Sequence, residues 1–182
     1  MKTLAKWTVE DYHGMIEAGV LCDRKVELLE GEIIEMSPET PIHYNTASQN
    51  SNYLREILRG KAAVRFNGPI TLDTSEPEPD IAIVRLPESI YSTRHPGPED
   101  IFWLIEVAKT SLNKDLDLKA DLYAAANIQE YWVLDLANPR LIVFREPQGR
   151  KYLSEQIFQA GTLSPLAFPT IKVEINQFLS SP

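Results

Sequence analysis

The chain predicts an α/β (α+β) domain: a central mixed β-sheet flanked by helices. Three observations carry that expectation. The runs DIAIV (80–84) and IFWLIEV (101–107) are almost continuously apolar, as central strands covered on both faces are. The segment KDLDLKADLYAAA (114–126) sets Leu116, Leu118, Leu122, Tyr123 and Ala126 on one side of a helix, with Asp117 and Asp121 on the other. Elements then follow in the order helix, hairpin, helix, strands, helix, strands, which suits layered packing around one sheet.

Taken in order, TVEDYHGMIEAG (8–19) reads as a helix with Thr8 as N-cap, acids in the first turn and Gly19 as its stop. KVELLEGEIIEMSP (25–38) alternates on either side of a glycine, a hairpin pattern. Residues 43–58 place Ala47, Asn50, Leu54, Ile57 and Leu58 on one stripe, and Gly60 ends that helix. AAVRFNGPITL (62–72) gives strand-like pieces around an NGP turn, and a proline-rich loop without periodicity separates the two apolar runs. EYWVLDL (130–136), RLIVFRE (140–146) and KYLSEQIF (151–158) read as three further strands, and TIKVEINQFL closes the chain as a short strand or helix. Trp103, Trp132 and Tyr131 are expected in the core.

With 182 residues, 43% apolar and 24% charged, the chain suits a single domain over 1–182. No run approaches the ~18 apolar residues of a membrane span, and the amino terminus lacks the apolar stretch of a signal peptide. One cysteine, Cys22, excludes an internal disulfide and a cysteine-based zinc cluster. A cytoplasmic location is expected. The formal charge of −8 argues against gripping nucleic acid by bulk electrostatics, but leaves open an enzyme that meets phosphates through metal ions.

Charged residues that interrupt the apolar runs are the chemical candidates. Asp80 opens one run and Glu106 falls near the end of the next. A buried charge is costly unless paired or metal-bound. If the two strands are neighbours, their carboxylates converge at one sheet edge, an oxygen-rich arrangement suited to Mg²⁺. Lysines 109, 114 and 119 lie near enough to complete such a site. If the strand continues that far, alternation turns Lys109 to the face opposite Glu106, whereas Lys119 shares a helix face with Asp115 and Tyr123 and is the stronger candidate. Structural alternatives stand beside each reading. Asp80 could cap a strand start, Glu106 could pair with Arg65 or Lys119, and Asp115 and Lys119 could form an exposed ion pair. His13 and His95 have no acid or cysteine at metal-ligand spacing, and ILRGKAAVR (57–65) is the main basic stretch.

These residues also carry a resemblance. PEPDIAIV, followed by LIEVAKTSLNKDLDLKADLYAAANIQEYWVLD, resembles the Uma-two family of putative restriction endonucleases, within the PD-(D/E)XK nuclease-like superfamily. The upstream KVELLEGEIIEMSPETPIHYN is similar to the same family's amino-terminal signature, including its histidine, here His43. The resemblance covers roughly residues 6–178. It implies a restriction-endonuclease-like core and Mg²⁺-dependent phosphodiester cleavage, with Mn²⁺ as a substitute, on nucleic acid and on DNA in preference to RNA. By position it implies Asp80 and Glu106 as metal ligands, Lys119 as the catalytic lysine and Glu27 as an assisting acid. The usual E-x-K lysine is replaced by Ala108, and the loop after Glu106 is one residue shorter than the family's common form. The alternative is a nuclease fold without catalysis, acting as a nucleic-acid- or protein-binding partner. A homodimer, with EYWVLDL and RLIVFRE contributing to its interface, is a further expectation.

Overall fold

The computed structural model describes residues 4–109 and 111–180. Helix α1 (Val9–Glu17) starts at Thr8, whose hydroxyl accepts the Asp11 amide while the Asp11 carboxylate accepts the Thr8 amide. Strands β1 (Val26–Leu29) and β2 (Glu32–Glu35) form the hairpin, turned at Glu30 and Gly31, both with positive φ. Helix α2 (Pro41–Ile57) is capped by Thr40 and buries Ala47, Asn50 and Leu54 along its predicted stripe.

The central sheet has six strands in chain order: β3 (Ala63–Phe66), β4 (Ile81–Val84), β5 (Ile101–Ala108), β6 (Glu130–Asp135), β7 (Arg140–Gln148) and β8 (Lys151–Phe158). All neighbours run antiparallel except β5 and β6. A parallel pair needs a crossover. Here it is helical: α3 (Leu112–Lys114), a π-helical turn at Asp115–Lys119, and α4 (Ala120–Ala125). The segment predicted as either strand or helix is both in turn, β10 (Val173–Glu174), paired with β9 (Thr162–Leu163), followed by α5 (Ile175–Leu179).

Period-two alternation sorts the sheet into two cores. Ile81, Ile83, Trp103, Ile105 and Trp132 face α2 and α5. Ala82, Val84, Leu104, Tyr131 and Val133 face α4, where Leu122 and Tyr123 cover them. β6 is buried along its whole length, so EYWVLDL is consumed by the chain's own sheet rather than held out for a partner. Of the expected pieces in 62–72, only Ala63–Phe66 is a strand; Ile70–Leu72 runs as irregular chain that buries Ile70 and Leu72.

Candidate active site

The register of β4 and β5 builds the site. Ile81 stands opposite Ile105, so continuing the antiparallel ladder by one residue sets Asp80 opposite Glu106. Both belong to the alternation that carries Ala82 and Leu104, and so face α4. Pro77 and Pro79 flank Glu78 and stiffen the approach, which delivers Asp80 to the strand end with little freedom.

Each of the two carboxylates has one oxygen fixed by two protein donors. Asp80 Oδ2 accepts the Val107 amide at 2.6 Å, and His43 Nε2 lies 3.1 Å from the same atom. Glu106 Oε1 accepts the Lys119 ammonium at 2.7 Å and the Tyr123 hydroxyl at 3.0 Å. Asp80 Oδ1 and Glu106 Oε2 accept no protein hydrogen bond among the described residues. Glu27, on β1, is differently placed. Lys114 donates to its Oε1, while the Glu78 amide and Lys119 approach its Oε2 at 3.3 and 3.7 Å. Glu27 is therefore a counter-ion to two lysines, with both oxygens engaged.

The π-helical turn explains how Lys119 arrives. A wider turn sets an extra residue into the helix, a distortion common at functional sites. Within it Asp115 and Lys119 are both buried, at 3% and 5% exposure, which removes the solvated ion pair as a reading. Asp115 instead accepts the Ser111 hydroxyl at 2.6 Å. Lys119, and not Arg65, is the cation bonded to Glu106.

Electrostatics follow from this burial. Burial disfavours a charged ammonium, yet Glu106, then Glu27 and Asp115, outweigh that cost and raise the Lys119 pKa. Lys119 is thus a fixed cation. Burial pushes the Glu106 carboxyl well up, opposed by Lys119. Burial also pushes Glu27 up, but Lys119 and the bonded Lys114 overcome it and hold Glu27 below the usual carboxylate range.

These groups line a cleft of about 110 Å³. Thr40 and His43 close one side, and Lys25, Glu39 and Glu78 stand along its wall. Lys109 also lines it: β5 ends at Ala108, so the strand does not continue far enough for alternation to turn that lysine away. The basic stretch 57–65 starts at the far end of α2, about 21 Å of helix from His43, and returns along β3, and none of its residues lines the cleft. The fold also pairs His13 with an acid 63 residues away: its Nε2 is 2.8 and 2.7 Å from the two Glu76 carboxylate oxygens, and His95 Nε2 is 3.9 Å away. No local spacing could have announced that pairing.

Among the described residues, no three His, Cys, Asp or Glu side chains form a self-sufficient metal cage. Two carboxylates with one unengaged oxygen each do fit Mg²⁺, which takes one or two carboxylates and completes its octahedron with water and phosphate.

A family model described as "Putative restriction endonuclease" (Uma2) matches residues 9–176. A solved structure from Anabaena variabilis ATCC 29413, described as a putative nuclease belonging to DUF820, superposes with a TM-score of 0.63 at 17% identity, covering 85% of this chain and 89% of that one. At that identity the likeness is one of fold. No curated protein matches the chain. No helix among the described residues is long and apolar enough to cross a membrane.

Proposed function

Because the chain belongs to the Uma-two (Uma2) family, described as putative restriction endonucleases, we propose that it is a Mg²⁺-dependent endonuclease acting in the cytoplasm on DNA in preference to RNA. The observation that carries this reading is the meeting of Asp80, Glu106 and Lys119 in one cleft, each from a different element, with one oxygen of each carboxylate left unengaged.

Asp80 and Glu106 would hold the ion. When bound, it supplies Lewis acidity, making water a stronger nucleophile and offsetting phosphate charge. Lys119, charged and rigidly held, donates hydrogen bonds to an attacking water or to the phosphoryl oxygens as negative charge gathers. A permanently protonated lysine cannot be the base that deprotonates the water, so its part is to orient and neutralise. Glu27 keeps Lys114 and Lys119 in place. Lys109, exposed at the mouth, is available to a neighbouring phosphate. A twofold dimer would present two such clefts to the two strands of a duplex.

Plasmid cleavage in Mg²⁺ or Mn²⁺ tests the proposal. Asp80→Ala and Lys119→Ala should each abolish metal-dependent cleavage with the fold intact by circular dichroism. Undiminished cleavage by both variants would sink the mechanism. Ala108 in the usual lysine position favours the rival reading of a nuclease fold that binds without cutting. Absence of Mn²⁺ binding at millimolar concentration by the natural sequence would establish that rival.

A further inference from the structure

The two proposed metal-holding carboxylates share an arrangement that neither strand register nor burial requires. Each has one oxygen taken by a pair of donors and the other oxygen left for a ligand. In each pair one donor is intrinsic to the framework: the Val107 amide for Asp80 and Lys119 for Glu106. The second donor is a neutral-capable side chain from outside the strands, His43 on the first turn of α2 and Tyr123 on α4.

We infer that His43 and Tyr123 are positioning residues that set the rotation of the Asp80 and Glu106 carboxylates, turning Oδ1 and Oε2 into the cleft for a divalent cation. This rests on the metal-dependent reading above. A carboxylate held at one oxygen by a single donor can still swing about that contact. Two donors on the same oxygen from different directions fix its plane. For Glu106 the two donors sit four residues apart on the helical crossover, Lys119 in the π-helical turn and Tyr123 on α4, and both bond Oε1, leaving Oε2 clear. For Asp80 the amide comes from the neighbouring strand and the imidazole from the helix on the sheet's other face, so the carboxylate is clamped between two layers.

The side chains are suited to this and to little else. Tyr123 is fully buried, with its ring edge-on to Tyr131 at 4.9 Å, so its hydroxyl has no freedom to serve solvent. His43 Nδ1 is buried without a hydrogen-bond partner, so only Nε2 is placed to act, and it acts on Asp80. Partners that orient ligating groups typically change metal affinity by about 10- to 100-fold when removed.

Mn²⁺ titration of the whole chain by calorimetry tests the inference without any cleavage assay. Tyr123→Phe deletes one hydroxyl and keeps the ring; His43→Ala deletes the imidazole. Each should weaken Mn²⁺ binding about 10-fold or more, with near-natural circular dichroism. His43→Gln, which restores an amide donor near the Nε2 position, should recover most of the loss. Tyr131→Phe is the control, since that buried hydroxyl donates to the Asp115 carbonyl and touches neither carboxylate; its affinity should be unchanged. Natural affinity in both Tyr123→Phe and His43→Ala would overturn the inference while leaving the metal site standing. Equal weakening in Tyr131→Phe would overturn it too, by showing a general packing effect. No Mn²⁺ binding by the natural sequence would overturn the inference and the metal-dependent reading together.

Discussion

Replacing Lys119 with Met tests the electrostatic design of the cleft through stability alone. The side chain keeps its length and apolar stem but loses the cation. Lys119 is bonded to Glu106 at 2.7 Å and stands 3.7 Å from Glu27, and all three are almost wholly buried. Removing one partner from a buried ion pair costs about 3–5 kcal/mol, because the surviving charge is neither hydrated nor matched. Glu27 keeps Lys114, so the uncompensated charge is that of Glu106. The penalty must therefore depend on pH. Burial raises the Glu106 carboxyl above its unfolded value, and a carboxyl raised on folding is harmless where it is protonated and costly where it must ionise. Without Lys119 the burial is unopposed and Glu106 is pushed further up, so the cost of the variant relative to the natural chain should grow only above the natural chain's already raised value. Its slope approaches about 1.4 kcal/mol per pH unit for one proton wherever Glu106 is ionised in the natural chain and protonated in the variant, a condition sampled by measurements at pH 5 and pH 7. Urea denaturation of both proteins at those two pH values and at about pH 8 supplies the numbers. A loss under about 1 kcal/mol at pH 8, unchanged on acidification, would refute the view that Lys119 neutralises a buried acid.

Two further outcomes concern parts of the fold away from the cleft. Arg145→Met should also cost about 3–5 kcal/mol by denaturant melting, because Glu130, with no exposed surface, would keep the Trp132 and Leu166 donors but lose its cation. Mn²⁺ affinity should survive in that variant, which separates structural from site acids. Gly31→Ala should cost at least about 1–2 kcal/mol and lower the thermal midpoint by several degrees. Its φ is +77°, and a Cβ there would sit 2.8 Å from the Lys6 Cβ and 3.0 Å from the Trp7 carbonyl oxygen.

What could be read ahead of the structure was local. Thr8, Gly19 and the stripe on α2 are decided by neighbours within a few residues, and each stands where chain chemistry puts it. Asp80 and Glu106 were visible as charges inside apolar runs, a cost that must be offset somewhere. Their convergence, however, needs the β4–β5 register, and an alternating pattern does not fix which strands are neighbours. Glu27 with Lys114, and His13 with Glu76, bridge 87 and 63 residues and exist only once the sheet and hairpin have docked. Lys109 escapes an alternation that ends one residue earlier. The expected interface on β6 failed for a simpler reason. An unbroken apolar strand looks the same whether its cover comes from its own chain or from another.

The cleft's own composition bears on how a charged substrate would approach it. Six carboxylates line it (Glu27, Glu39, Glu78, Asp80, Glu106 and Asp115) against four lysines, leaving two formal negative charges within a chain that already carries −8. A polyanion arriving at that surface is repelled, and a divalent cation cancels the local excess. If Asp80 and Glu106 hold a divalent ion as proposed, that ion would offset the excess, and its loading would favour the approach of a phosphate.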